Sequence, residues 1–165
     1  ERAFRELVRR NAEALTCFLS TYQPDASERD DVVQETFLRV YMARERYTPG
    51  KAKFRTWLFT IGRNIALDQR RKRQRRPAEA LGEDPQGDSG SGPIKHAIQG
   101  QEAAGVREAI ARLPVAEREV VALRFYEDMS HSEISGVVGS SPAAVKQRIW
   151  RAMHTLRALL QGGRA

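Results

Sequence analysis

Residues 130–160 read SHSEISGVVGSSPAAVKQRIWRAMHTLRALL, and the way this stretch folds decides the architecture of the chain. Ile134, Val137 and Val138 repeat at helical spacing, a turn containing Gly139 follows, and Ser141-Pro142 opens a second apolar-periodic segment. Proline suits the first helical turn, where its missing N–H has no helical partner in any case. Val145, Ile149 and Ala152 can share a small core with Ile134, Val137 and Val138, which is the pattern of a helix-turn-helix. With Val145, Ile149, Ala152 and Leu156 turned inward, the second helix presents Lys146, Gln147, Trp150 and Arg151 outward, and no acidic residue occurs after Glu133. Cations for phosphates and amide or planar groups for base edges are what a helix in a DNA major groove needs. An αα-corner in any helical bundle shares the pattern, so this stretch alone leaves both readings open. Trp150 also has two: contact with a thymine methyl or sugar, or packing against the C-terminal tail or the preceding helix.

Periodicity makes the rest of the chain helical too. Helices are expected near Gly105 to Arg112 and Ala116 to Tyr126, with Pro114 between them, ahead of the pair at Ser132 to Val138 and Pro142 to Leu160. Nearer the N-terminus, Phe4, Leu7, Val8, Leu15, Phe18 and Leu19 recur at helical spacing. Val33, Phe37, Val40 and Tyr41 do so after a start at Asp30-Asp31, and Phe54, Trp57, Leu58, Ile61, Ile65 and Leu67 mark a third helix. Trp57 and Phe37 are the expected large members of that core. No stretch alternates as a strand. Between the two halves lies PAEALGEDPQGDSGSGPIKHAIQGQEAAG, rich in Pro, Gly, Ser and acids and without a sustained hydrophobic period. A short helical turn around Ile94 to Gln101 is a minor expectation within it. The fold class is therefore all-α: two small helical domains joined by a flexible linker, the second containing a helix-turn-helix. The expected boundaries are 1–76, 77–106 and 107–165.

Charge follows the same division. The net charge is +7, but residues 1–76 hold 18 basic against 10 acidic residues, the linker one against five, and residues 107–165 nine against six. The third helix begins with the anchoring residues FRTWLFTIGRNIALD and ends as QRRKRQRR. A solvated face explains such a run as readily as nucleic-acid contact does, but a basic helix and a helix-turn-helix in one short chain favour nucleic acid.

Other functions lose support. No apolar run approaches the roughly 20 residues of a membrane span, and no signal peptide is recognisable. The chain opens at Glu1 rather than methionine, which leaves the natural N-terminus open. Cys17 has no second cysteine to pair with and reads as a small core residue. Asp30-Asp31 suits a helix start rather than a metal pair, and His96, His131 and His154 lack ligand spacing. No phosphate loop or nucleophile motif occurs, so no enzyme, no metal and no cofactor are expected.

Taken in order, DDVVQETFLRVY, FRTWLFTIGRNIALDQRRKR and LPVAEREVVALRFYEDMSHSEISGVVGSSPAAVKQRIWRAMHTLRALL, with the linker between, resemble a bacterial extracytoplasmic-function (group IV) sigma factor of the sigma-70 family. The resemblance implies a cytoplasmic, dissociable subunit that directs RNA polymerase core enzyme to promoters and assists their opening. It implies that Asp31, Gln34, Glu35, Leu38 and Arg39 dock on the clamp helices of the large polymerase subunit, and that the second domain meets the flap. Arg63, Asn64, Arg70, Arg71 and Arg73 would face the minus-ten element, and the loop RYTPGKAK with Lys51 and Lys53 would help to hold a flipped base. Lys146, Gln147, Trp150 and Arg151 would meet the minus-thirty-five element, with Arg148 on a phosphate. An anti-sigma partner covering these faces is also implied. Ser135 and Gly136 depart from the family pattern and are expected to loosen their helix, since Gly costs about 1 kcal/mol against Ala there. A free-standing helix-turn-helix regulator and a basic helical RNA-binding protein are the rival readings.

Overall fold

In the computed structural model the described residues are 2–75 and 101–162, with the side chains of 101–103 excepted, and they contain helices and turns but no strand. The chain divides into two compact units, one N-terminal and one C-terminal to the Asp88–Ser89 junction. Of the minor expectation for Ile94–Gln101, all but Gln101 lies outside the described residues, as does most of the linker.

The first unit comprises α1 (Arg2–Leu19), α2 (Ala26–Met42), a 3-10 turn (Arg44–Arg46) and α3 (Phe54–Arg75). Its core is built from Leu15, Phe18 and Leu19 of α1, Val32, Phe37 and Val40 of α2, and Leu58, Phe59, Ile65 and Ala66 of α3. Phe18 and Phe59 meet with ring centroids 5.1 Å apart. Gly62 lets the helices approach here, because a Cβ at that position would lie 3.0 Å from Leu15 Cδ1 and 3.4 Å from Thr36 Oγ1.

Three expectations about this unit are corrected. The second helix starts at Ala26 rather than Asp30, because Asp25 is its N-cap and accepts a hydrogen bond from the Glu28 N–H at 2.8 Å. Its buried stripe is Arg29, Val32, Thr36, Phe37 and Val40; Val33 is half-buried and Tyr41 is exposed. Thr36 is tolerated inside because its hydroxyl donates to the Val32 carbonyl at 2.6 Å. Trp57 is half-buried and stacks on Tyr47 at 5.1 Å, so Phe59 takes the place in the core expected of it.

The second unit comprises α4 (Gln101–Ala111), α5 (Val115–Val121), a π-turn (Ala122–Tyr126), α6 (His131–Val138) and α7 (Pro142–Gly162). α4 begins inside the segment expected as linker, and its Val106 packs on a core of Ala109, Ile110, Leu113, Val121, Ala152 and Leu156. The π-turn turns Phe125 outward, 56% exposed. α6 runs without a break through Ser135-Gly136. Ser130 and Glu133 form a reciprocal capping box at its start, and Gly139, at φ 65°, closes it in the left-handed conformation that glycine adopts without strain. Ser141 Oγ then accepts the Ala144 N–H at 3.2 Å to begin α7. Ile134, Val137, Val138, Val145 and Ala152 are buried as expected, with Ile149 half-buried.

Candidate nucleic-acid and polymerase interfaces

The buried stripe of Val145, Ala152 and Leu156 fixes what α7 shows to solvent. Lys146, Gln147, Trp150 and Arg151 are all exposed, on adjacent turns of one face, and His154 and Arg157 extend that face. Trp150 is 61% exposed. Its indole meets the His154 imidazole one turn on, with centroids 3.9 Å apart and a 39° tilt.

Arg148 does not join this face. Its guanidinium turns to the carboxylate of Glu119 on α5 at 3.6 Å, and Glu119 is 1% exposed. This ion pair ties the second helix of the motif to its scaffold. Sequence reading missed Glu119 because an acid in AEREVV looks like an ordinary solvated residue. Its position at the turn before Val120 and Leu123, both fully buried, was the available signal.

The cationic end of α3 also divides by face. Asn64 and Arg71 are exposed, Arg63 and Arg70 half-buried, and Arg71 pairs with Asp68 at 3.3 Å. Arg73 lies on the opposite side, continuing the row Gly62, Ala66, Gln69, and donates to Glu28 and to the side-chain oxygen of Gln23. Gln23 is fully buried at the α1–α2 corner; its amide also donates to Gln69 at 3.2 Å, and its carbonyl accepts from Arg29 at 3.1 Å. Arg73, although exposed, thereby ties the end of the helix to its own unit.

Before α3, the loop is shaped by an aromatic cluster. Tyr47 stacks on Trp57, Phe54 meets both rings edge-on at 5.9 and 6.1 Å, and the Tyr47 hydroxyl donates to the Ala52 carbonyl at 3.1 Å. Gly50, at φ 93°, makes the turn, leaving Lys51 and Lys53 exposed on either side of Ala52.

On α2, Asp31, Gln34, Leu38 and Arg39 are exposed and Glu35 is half-buried, paired with Arg39 at 2.7 Å. Leu38 is 54% exposed, and the same face runs on through Tyr41 and Met42, the latter 73% exposed. Sequence reading placed Tyr41 inside and passed over Met42. Among the described residues no group of three or more His, Cys, Asp or Glu could hold a metal ion, and no helix is long and apolar enough to cross a membrane. Cys17 is half-buried, and that burial pushes its thiol pKa up.

This fold defines a two-unit, all-helical protein of the helix-turn-helix class. Residues 7–76 match the family model for Sigma-70 region 2, and residues 104–156 match that for Sigma-70 region 4. The chain is 35% identical to the RNA polymerase sigma factor NccH of Alcaligenes xylosoxydans xylosoxydans, over 96% of this chain and 87% of that protein. It is 32% identical to the ECF RNA polymerase sigma factor RpoE of Cereibacter sphaeroides, over 95% and 86%. Among solved structures, CnrH in complex with the cytosolic domain of CnrY superposes with a TM-score of 0.69 at 32% identity, covering 98% of this chain and 89% of that one. RpoE in complex with the anti-sigma factor NepR from Bartonella quintana shares the fold, with a TM-score of 0.73 at 22% identity and 98% of each chain covered. The chain belongs to the sigma-70 family of RNA polymerase sigma factors, in the extracytoplasmic-function group.

Proposed function

We propose that this protein is a dissociable, non-catalytic subunit that works in the cytoplasm, directing RNA polymerase core enzyme to a set of promoters and assisting their opening. The observation that carries the reading is the pairing, in one chain, of an exposed cationic face on α7 with an outward apolar ridge on α2. The first suits duplex DNA; the second suits a protein partner. A free-standing helix-turn-helix regulator leaves the Leu38, Tyr41 and Met42 ridge without a purpose, and an RNA-binding protein leaves the helix-turn-helix without one.

In this reading the α2 face from Asp31 to Met42 docks on the clamp helices of the large polymerase subunit, and the second unit engages the flap, for which the exposed Phe125 offers an apolar anchor. Asn64, Arg63, Arg70 and Arg71 meet the opened minus-ten strand, with Lys51 and Lys53 beside a base held against the Tyr47–Trp57–Phe54 cluster. Lys146, Gln147, Trp150 and Arg151 read the minus-thirty-five element. Arg73 and Arg148 position these surfaces through Gln23, Glu28 and Glu119. An anti-sigma protein is the natural inhibitor, since a partner covering both exposed faces blocks DNA and polymerase together; the structures of related sigma factors with NepR and CnrY support this. Run-off transcription with core polymerase on a promoter library is the direct test. Promoter-dependent transcripts that require the chain are expected, and operator binding that is indifferent to core enzyme would overturn the reading.

A further inference from the structure

The Trp150–His154 pair extends the reading of α7 as the recognition helix and rests on it. A tryptophan 61% exposed on a cationic face leaves most of a large apolar ring in water. Side chains on a helix lean toward its N-terminus, so the imidazole of His154 leans back over Trp150 and the indole of Trp150 leans over the turn that carries Lys146 and Gln147. The 3.9 Å centroid separation shows that the first of these contacts is made. An i, i+4 ring pair restricts the indole to a narrow set of rotamers, with one face backed by imidazole and the rest of the ring presented beside Gln147. The surrounding charges select the occupant. Lys146, Arg151 and Arg157 share this face, and the described part of α7 carries no acid, so a polyanion is favoured over a basic partner.

We propose that Trp150 reads a thymine 5-methyl group in the major groove, next to the base met by Gln147, and that His154 is the positioning residue that holds the indole in place. The methyl is the one apolar group on the major-groove edge of a base pair, and an amide cannot recognise it, so Trp150 and Gln147 supply complementary information on neighbouring positions. His154 need not touch DNA to act.

The test uses the full chain with core polymerase, on the duplex it selects from a randomised promoter library. Each thymine of the minus-thirty-five region is replaced in turn by uracil, which removes only the methyl. The wild type is expected to lose about fourfold in affinity at one or two positions, the worth of one buried methyl group. Trp150→Ala should abolish that discrimination. His154→Ala should reduce it severalfold, and His154→Phe should restore it, because an aromatic ring is again stacked on the indole. Both residues are exposed, so the helix content by circular dichroism should be unaltered. A thymine-to-uracil ratio identical in wild type, Trp150→Ala and His154→Ala overturns the proposal. If at the same time Gln147→Ala and Arg151→Ala relax base preference, α7 is still the reading helix and only this inference fails. If those two variants also keep every preference, the recognition-helix reading itself is wrong.

Discussion

Arg148 shows how a partner in the fold gives a side chain a structural task. A half-buried guanidinium 3.6 Å from a carboxylate that is 1% exposed ties α7 to α5, and removing it loosens that contact. Arg148→Ala should therefore lower the stability of the second unit by about 1–2 kcal/mol, whereas Lys146→Ala, at an exposed site, should stay within about 0.5 kcal/mol. Urea unfolding of both variants separates the roles, and a normal midpoint for Arg148→Ala would return that residue to the DNA face. Glu6 illustrates a surface effect with a pH signature: hydrogen bonds from Arg9 and then Arg10 lower its carboxyl pKa to about 2. Because the folded value is depressed, any stabilisation is fully present above the ordinary glutamate range and is lost as pH falls through it toward 2. An NMR titration should find the Glu6 midpoint well below the ordinary glutamate range, and a midpoint within that range would contradict the paired geometry.

At the level of elements, legibility depended on whether apolar character alone fixed the helical register. On α7 it did, since Val145, Ile149, Ala152 and Leu156 leave no competing stripe among cations and amides. On α2 it did not. VVQETFLRVY supports two overlapping stripes, and hydrophobicity favours Val33 and Tyr41, whereas the fold buries Val32, Thr36 and Arg29. Threonine and arginine become acceptable only because the Thr36 hydroxyl finds the Val32 carbonyl and the Arg29 guanidinium finds those of Gln23 and Pro24, partners visible only in three dimensions. The contacts of Arg73 with Gln23 and Glu28 were hidden for the same reason, its helical face being overshadowed by the cationic run around it. The corrected α2 face sharpens the docking prediction. Glu35→Lys combined with Gln34→Ala should weaken co-purification with core polymerase, yet change stability by less than about 1 kcal/mol, since an exposed i, i+4 pair contributes only about 0.3–0.5 kcal/mol. Unchanged co-purification would move the polymerase contact elsewhere. Gly62→Val should do the reverse, lowering stability by about 1–3 kcal/mol through crowding against Leu15 and Thr36 without touching the docking face. A thermal melt of this variant at the wild-type midpoint would mean that the three helices separate more easily than their packing indicates.

For the whole molecule, the division into two units with separate cores turns promoter recognition into a problem of tethering. Each unit encloses its own apolar cluster, so fragments divided between Asp88 and Ser89 should each fold and unfold cooperatively. If one unit engages the minus-ten element and the other the minus-thirty-five element, the covalent connection supplies the second contact at an effective concentration in the millimolar range, without adding any interface of its own. Mixing the two folded fragments with core polymerase should then restore each local contact but not the combined affinity, leaving promoter binding about 10²–10⁴-fold weaker than for the intact chain at equal concentration. Raising the concentration of the C-terminal fragment should recover much of the loss, because mass action replaces the tether. Binding by the mixed fragments equal to that of the intact chain at nanomolar concentration would show that the connection contributes nothing, and that one unit alone accounts for promoter choice.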